Sequence, residues 1–163
     1  MNLINKILLG LAMGFSALTA SAQEIPEEDV QRLVEGKQFV FVPQTMTPQP
    51  TPYRSLSGFD LVVTPDSLMS YLPYFGRAFS APINSGRGPL DFTSVKFDYS
   101  AKKNAKGEWE ISLQPKDAQG VQAMDMTVYN NGRALLRVNS RDRQFISFNG
   151  YIEPRKVARK RGF

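Results

Sequence analysis

The chain has 163 residues, with 20 basic and 15 acidic side chains, no cysteine and no histidine. That excludes disulfides, thiolate nucleophiles, cysteine or histidine metal sites, and every mechanism that needs an imidazole. At 42% hydrophobic and 21% charged residues, it holds enough apolar material for one packed domain and too much for a disordered chain.

Residues 1–22 read as a secretory signal peptide. Lys6 supplies the positive charge, residues 7–18 the apolar run, and Ala20-Ser21-Ala22 a small-residue cleavage signal before Gln23. The run is shorter than the roughly 18 residues that a spanning helix needs. No cysteine follows it, so no lipid anchor is expected, and no second apolar segment has spanning length. The expected location is periplasmic or extracellular. Residues 23–154 then form a single domain, long enough to bury roughly two-thirds of its unfolded surface without disulfides.

Residues 26–35 predict one short helix. Pro26 suits its start, Glu27, Glu28 and Asp29 suit the positive end of its dipole, and Val30, Leu33 and Val34 make one apolar face. The acidic trio is explained by that dipole without a metal. Gly36 is a natural stop. Residues 37–42 then predict a strand, rich in aromatic and β-branched side chains. Residues 43–53 contain Pro43, Pro48, Pro50 and Pro52 and predict an extended surface loop, because proline removes ladder donors. Residues 59–63 and 67–72 predict two more strands around a Pro65-Asp66 turn, and residues 80–91 a second long loop.

From Thr93 the alternation is regular. Val95, Phe97 and Tyr99; Trp109, Ile111 and Leu113; Met124, Met126 and Val128; Ala134, Leu136 and Val138; and Ile146, Phe148 and Ile152 each alternate with polar or outward neighbours. Asn131-Gly132 predicts a type I′ hairpin, where both positions have positive φ. Short turns make neighbours antiparallel. The expected fold is mainly β (α+β): an antiparallel meander with one wet face, open or partly closed, with the helix and earlier strands covering its apolar face.

The chemistry-bearing motifs are few. Ser100-Ala101-Lys102-Lys103 matches S-x-x-K but lacks every companion motif and falls at a strand end. Gly86-Arg87-Gly88 has no phosphate-loop ending, and Pro89 deletes a donor. No cofactor and no metal site is expected. Carboxylate chemistry is the enzyme class that composition leaves open, with Asp60, Asp66, Asp91, Asp98, Glu110 and Asp125 as candidates. Asp98, Glu110 and Asp125 sit at outward strand positions, where a solvated face explains them more simply.

Residues 71–79, Tyr-Leu-Pro-Tyr-Phe-Gly-Arg-Ala-Phe, crowd four aromatics around a proline, a glycine and an arginine. One reading is a recognition platform using Tyr71, Tyr74 and Arg77. The other is a strand bent at Pro73 and Gly76 whose aromatics fill the core and whose arginine satisfies backbone carbonyls. Arg155, Lys156, Arg159, Lys160 and Arg161 concentrate charge in residues 155–163, leaving residues 23–154 nearly neutral. No nucleic-acid groove is expected from such a body. The tail is a candidate contact for anionic lipid or polymer, or a plain solvated terminus.

Gly58-Phe59-Asp60-Leu61, the run from Asp66 through Ala78, Ala81-Pro82, Phe39-Val40-Phe41, Trp109 after Gly107, and residues 143–150 together resemble an uncharacterised secreted bacterial family, domain of unknown function 4251. The resemblance spans about residues 30–152, and Tyr71-Leu72-Pro73-Tyr74-Phe75-Gly76-Arg77 is its most specific part. It implies export and a compact strand-rich domain, and it brings no activity, ligand or catalytic residue. The expected function is therefore a small exported non-enzymatic domain that binds a protein partner or an envelope component. The alternative is a carboxylate-dependent hydrolase of an envelope polysaccharide or related polymer.

Overall fold

The computed structural model describes residues 24–48, 53–78 and 88–156. The segment expected to be a signal peptide, most of the second expected loop and the residues from 157 on lie outside them. Helix α1 spans Glu27–Glu35, with its three acids in the first turn and Val30 and Val34 completely buried. Gly36 stays right-handed; the left-handed position is Lys37, at φ 51°. The amides of Lys37 and Gln38 donate to the carbonyls of Val34 and Leu33, so the helix ends in a Schellman turn with a lysine at the strained site.

Ten strands follow: β1 Phe39–Pro48, β2 Arg54–Ser55, β3 Asp60–Val63, β4 Leu68–Leu72, β5 Leu90–Ser94, β6 Phe97–Lys103, β7 Trp109–Pro115, β8 Val121–Val128, β9 Arg133–Ser140 and β10 Ile146–Glu153. They form one sheet in the order β5-β4-β3-β1-β10-β9-β8-β7-β6, with β2 paired to β1. The five-strand meander stands as expected from the alternation. Every pairing is antiparallel. The edge strands β5 and β6 therefore run in the same sense, and only Val95 and Lys96 join them. They are two arms of one kinked strand. The sheet curls into a nearly closed barrel with a single unsealed seam.

The inner face is continuous across that sheet. Ala101, Ile111, Met126, Leu136, Phe148 and Met46 form one cross-strand row. Ile152, Phe41, Leu61 and Ser70 form another, and the Ser70 hydroxyl donates to the Leu90 carbonyl at 2.6 Å. The sheet thus covers itself, and α1 adds Val30 and Val34 to the same core. The helix is tied to β6 and to the β8–β9 turn. The Tyr99 hydroxyl donates to the Val34 carbonyl at 2.8 Å, and the Ile25 amide to the Asn131 carbonyl at 3.3 Å.

Four local expectations are corrected. β1 runs on through Pro43 to Pro48, into the segment expected to be loop, and Met46 is fully buried. Pro43 is tolerated because it sits at a bulge against β10, where its missing donor breaks no regular ladder. The opposite residue is Gly150, and a Cβ there would collide with the Val42 carbonyl oxygen. β5 begins at Leu90, inside the second expected loop. Val95 is 66% exposed because it lies on the kink instead of in a strand. Lastly, Asn131-Gly132 does make a hairpin, but only Gly132 has positive φ. The Gly132 amide donates to the Tyr129 carbonyl, closing a four-residue turn that ends in the left-handed glycine.

Candidate functional site

Alternation along β4 turns Leu68, Ser70 and Leu72 inward and leaves Tyr71 outward, 51% exposed. Pro73 then ends the strand, and the segment to Ala78 runs from β4 to the β9–β10 turn, where Ala78 bridges Arg143. Tyr74 holds this crossing. Its hydroxyl is shared between the carbonyls of Arg77, at 3.0 Å, and Gln144, at 3.2 Å. The Gln144 amide donates back to the Arg77 carbonyl. Burial pushes the Tyr74 phenol above the ordinary tyrosine range, against the opposing pull of the nearby Arg143 guanidinium. A Cβ on Gly76 would lie 2.7 Å from the Tyr74 hydroxyl, so the glycine makes room for the tether.

The structure therefore splits the three candidate residues. Tyr71 and Arg77 are exposed, whereas Tyr74 is half-buried and structural. Neither reading of the segment holds as a whole. The carbonyls are satisfied by the Tyr74 hydroxyl, where the arginine side chain was expected. Sequence reasoning missed the partners that gather beside Tyr71. Phe59 stacks on Tyr71 with centroids 5.3 Å apart, and Arg54 lies 5.1 Å from the Phe75 ring. Tyr53 and Phe75 are 63% and 48% exposed, so with Tyr71 three of the large exposed apolar side chains fall on the stretch from the start of β2 to the crossing after β4, the aromatic corner. Asp60 and Asp91 flank Tyr71 on the adjoining strands. The aromatic run of residues 71–79 was the available signal; its pairing with Phe59 and Arg54 was not.

The other candidate carboxylates are placed as follows. Asp66 is exposed in the β3–β4 turn. Asp98 pairs with Lys116 at 2.8 Å, and Glu110 with Lys102 at 3.6 Å. Asp125 accepts hydrogen bonds from the Ser112 hydroxyl and the Asn139 amide, at 3.0 and 3.1 Å. Glu110 and Asp125 do share one open groove on the outer face of β6–β9, with a volume of about 370 Å³. In the S-x-x-K match, Lys103 is taken by Glu27 and by the Trp109 ring. Among the described residues, no group of three or more Asp and Glu side chains stands close enough to hold a metal. Of the basic tail, Arg155 and Lys156 are exposed; Arg159, Lys160 and Arg161 lie outside the described residues.

The seam holds a further polar cluster that the sequence did not reveal. Asp117 accepts from the Ser94 hydroxyl and, at 3.0 Å, from the Val95 amide. These bonds, the Ser94 hydroxyl first, hold the Asp117 carboxyl below the ordinary aspartate range.

The model of the family described as Domain of unknown function (DUF4251) matches residues 21–152. The chain belongs to the DUF4251 family. A crystal structure of a DUF4251 family protein from Bacteroides eggerthii is similar to it, with a TM-score of 0.57 and 14% identity. That match covers 78% of this chain and 87% of the other, and shows that the two share a fold. No match was found among curated proteins. No helix of the described residues is long and apolar enough to cross a membrane.

Proposed function

We propose that this DUF4251 member is an exported, non-enzymatic binding domain whose aromatic corner holds a partner protein or a component of the cell envelope. One observation carries the reading: on the stretch from Tyr53 to Arg77, Tyr71 stays exposed against Phe59 and Phe75 stays exposed against Arg54, with Tyr53 and Arg77 also exposed. Exposed aromatics bear an apolar cost in water that a bound partner removes, and rigid rings bind with little loss of side-chain freedom. Arginine adds a planar cation for stacking or for a carboxylate. Export rests on the sequence of residues 1–22, and the basic residues 155–161 supply a secondary contact for anionic lipid or polymer.

The test uses the mature chain and envelope fragments from the bacterium that makes it. Wild type is expected to sediment with the fragments. Tyr71→Ala and Arg77→Ala are expected to melt within a degree or two of wild type and to stay in the supernatant. Equal sedimentation of the variants, or a collapse of their melting temperature, contradicts the proposal.

A hydrolase reading has one observation in its favour, the shared groove of Glu110 and Asp125. Their diagonal register allows a separation of roughly 7–8 Å, within reach of an inverting pair. The surroundings do not suit the chemistry. Both acids are exposed, Lys102 neutralises one, and both oxygens of the other accept structural hydrogen bonds. A general acid is normally kept protonated by a dry pocket or a like-charged neighbour. Release of reducing ends from an envelope polysaccharide, lost in Glu110→Gln, would reverse this ranking.

A further inference from the structure

On the outer face of β6–β10, cross-strand register lays out two mostly polar rows. The first runs Ser100, Ser112, Asp125, Arg137 and Ser147. The second runs Lys102, Glu110, Thr127, Leu135 and Asn149. Most of both rows lines the open groove of about 370 Å³. That volume falls near the small end of the roughly 300–1,000 Å³ typical of small-molecule sites.

We infer that this groove binds a neutral saccharide unit. Two cations and two carboxylates line it, so it presents no net charge to a ligand. Lys102 is neutralised by Glu110. Arg137 is different. Its guanidinium lies 3.9 Å from the Phe145 ring centroid, and among the described residues it makes no ion pair, although Asp125 stands opposite in register. The ring fixes the plane of the fork and leaves its N–H edges available, a preorganised donor set.

Asp125 is equally fixed. Ser112 and Asn139 each occupy one of its oxygens, and each oxygen keeps a second lone pair for a ligand. Fixed acceptors and fixed donors thus alternate on one wall at strand spacing. A ligand that satisfies both must offer a donor and an acceptor at neighbouring positions, which is what adjacent hydroxyl groups do. Leu135 and the methyl of Thr127 supply an apolar strip for the C–H face of the ring. A strongly anionic ligand would gain Arg137 and meet Asp125 and Glu110.

The experiment is an amide-resolved NMR titration of the mature chain. The neutral probes are glucose, mannose, galactose, N-acetylglucosamine and their disaccharides. Glucuronate and glycylglycine serve as the anionic and zwitterionic arms. At least one neutral sugar is expected to shift the amides of Ser112, Asp125, Thr127 and Arg137 with a Kd on the order of millimolar. Arg137→Lys and Asp125→Asn are expected to weaken it about tenfold, with melting temperatures held. Tyr71→Ala is expected to leave it unchanged, which separates this site from the aromatic corner. Silence of those amides with every neutral probe, or tighter binding of glucuronate or glycylglycine, overturns the inference. So does a titration that both groove variants leave intact.

Discussion

Strands β6 to β10 and strands β1 to β5 bury comparable inner rows and differ in what they turn outward. The first half shows serine, threonine, charged and amide side chains to solvent, with cross-strand pairs such as Lys102–Glu110 and Ser112–Asp125. The second half turns out Val40, Val42, Val62, Met69 and Tyr71, sets Phe59 against Tyr71, and leaves Tyr53 and Phe75 exposed. The interior sets the fold in both halves, so the exterior of each is free to differ. A wet polar exterior is compatible with weak, hydroxyl-matched recognition. An aromatic exterior is a liability unless something covers it.

The largest expected effect tests the junction of the halves. Gly150→Ala places a methyl against the Val42 carbonyl at the only bulge between β1 and β10. A loss of about 3 kcal/mol or more is expected in chemical denaturation. A change below about 0.5 kcal/mol would show that the halves join more loosely than described.

Tyr99→Phe probes how α1 is held to the meander half. It removes the bond to the Val34 carbonyl, for an expected loss of about 1 kcal/mol near neutral pH. Burial also holds the Tyr99 phenol well above the usual tyrosine range. A raised folded value favours the protonated native state. That contribution is fully present below about pH 10, the unfolded value, and is lost as pH rises through the folded one. Wild type should therefore lose stability on the alkaline side, and Tyr99→Phe should flatten that limb. An unchanged alkaline slope would remove Tyr99 as its cause.

The smallest effect belongs to the seam. Asp117 is exposed, and its folded value is depressed by the Ser94 and Val95 bonds. Its contribution is present above about pH 3.9, the unfolded value, and is lost as pH falls through the folded value. Asp117→Asn should lower the denaturation midpoint slightly near pH 7, where that contribution is present, and flatten the acid limb. An acid limb identical to wild type would mean that the seam is held by Ser94 and the kink alone.

How much of this was legible in the sequence follows the same division. Trp109, Ile111 and Leu113 against Glu110 and Ser112 announce a strand with one wet face, and alternation of this kind specifies most of the meander half. In the other half, Pro43 looked like the end of a strand because the bulge that accommodates it depends on Gly150, distant in the chain. Val95 fitted the alternation, yet it marks the point where one strand changes sheet edge. Tyr71 and Tyr74 looked alike. The pleat places the first outward, and Pro73 releases the second from the pleat toward the Gln144 carbonyl. The polar groove was half visible: outward positions follow from alternation, but the register that sets Asp125 opposite Arg137 does not.

The contrast between the two tyrosines tests the central claim most directly. Tyr71→Ala and Tyr74→Ala are compared with wild type for melting temperature and for sedimentation with envelope fragments. Tyr71→Ala is expected to keep the melting temperature and lose sedimentation, while Tyr74→Ala is expected to melt several degrees lower, reflecting a loss of about 1–3 kcal/mol. A Tyr71→Ala protein that sediments like wild type, or a Tyr74→Ala protein that melts like it, would contradict the assignment of one ring to the surface that binds and the other to the frame that holds it.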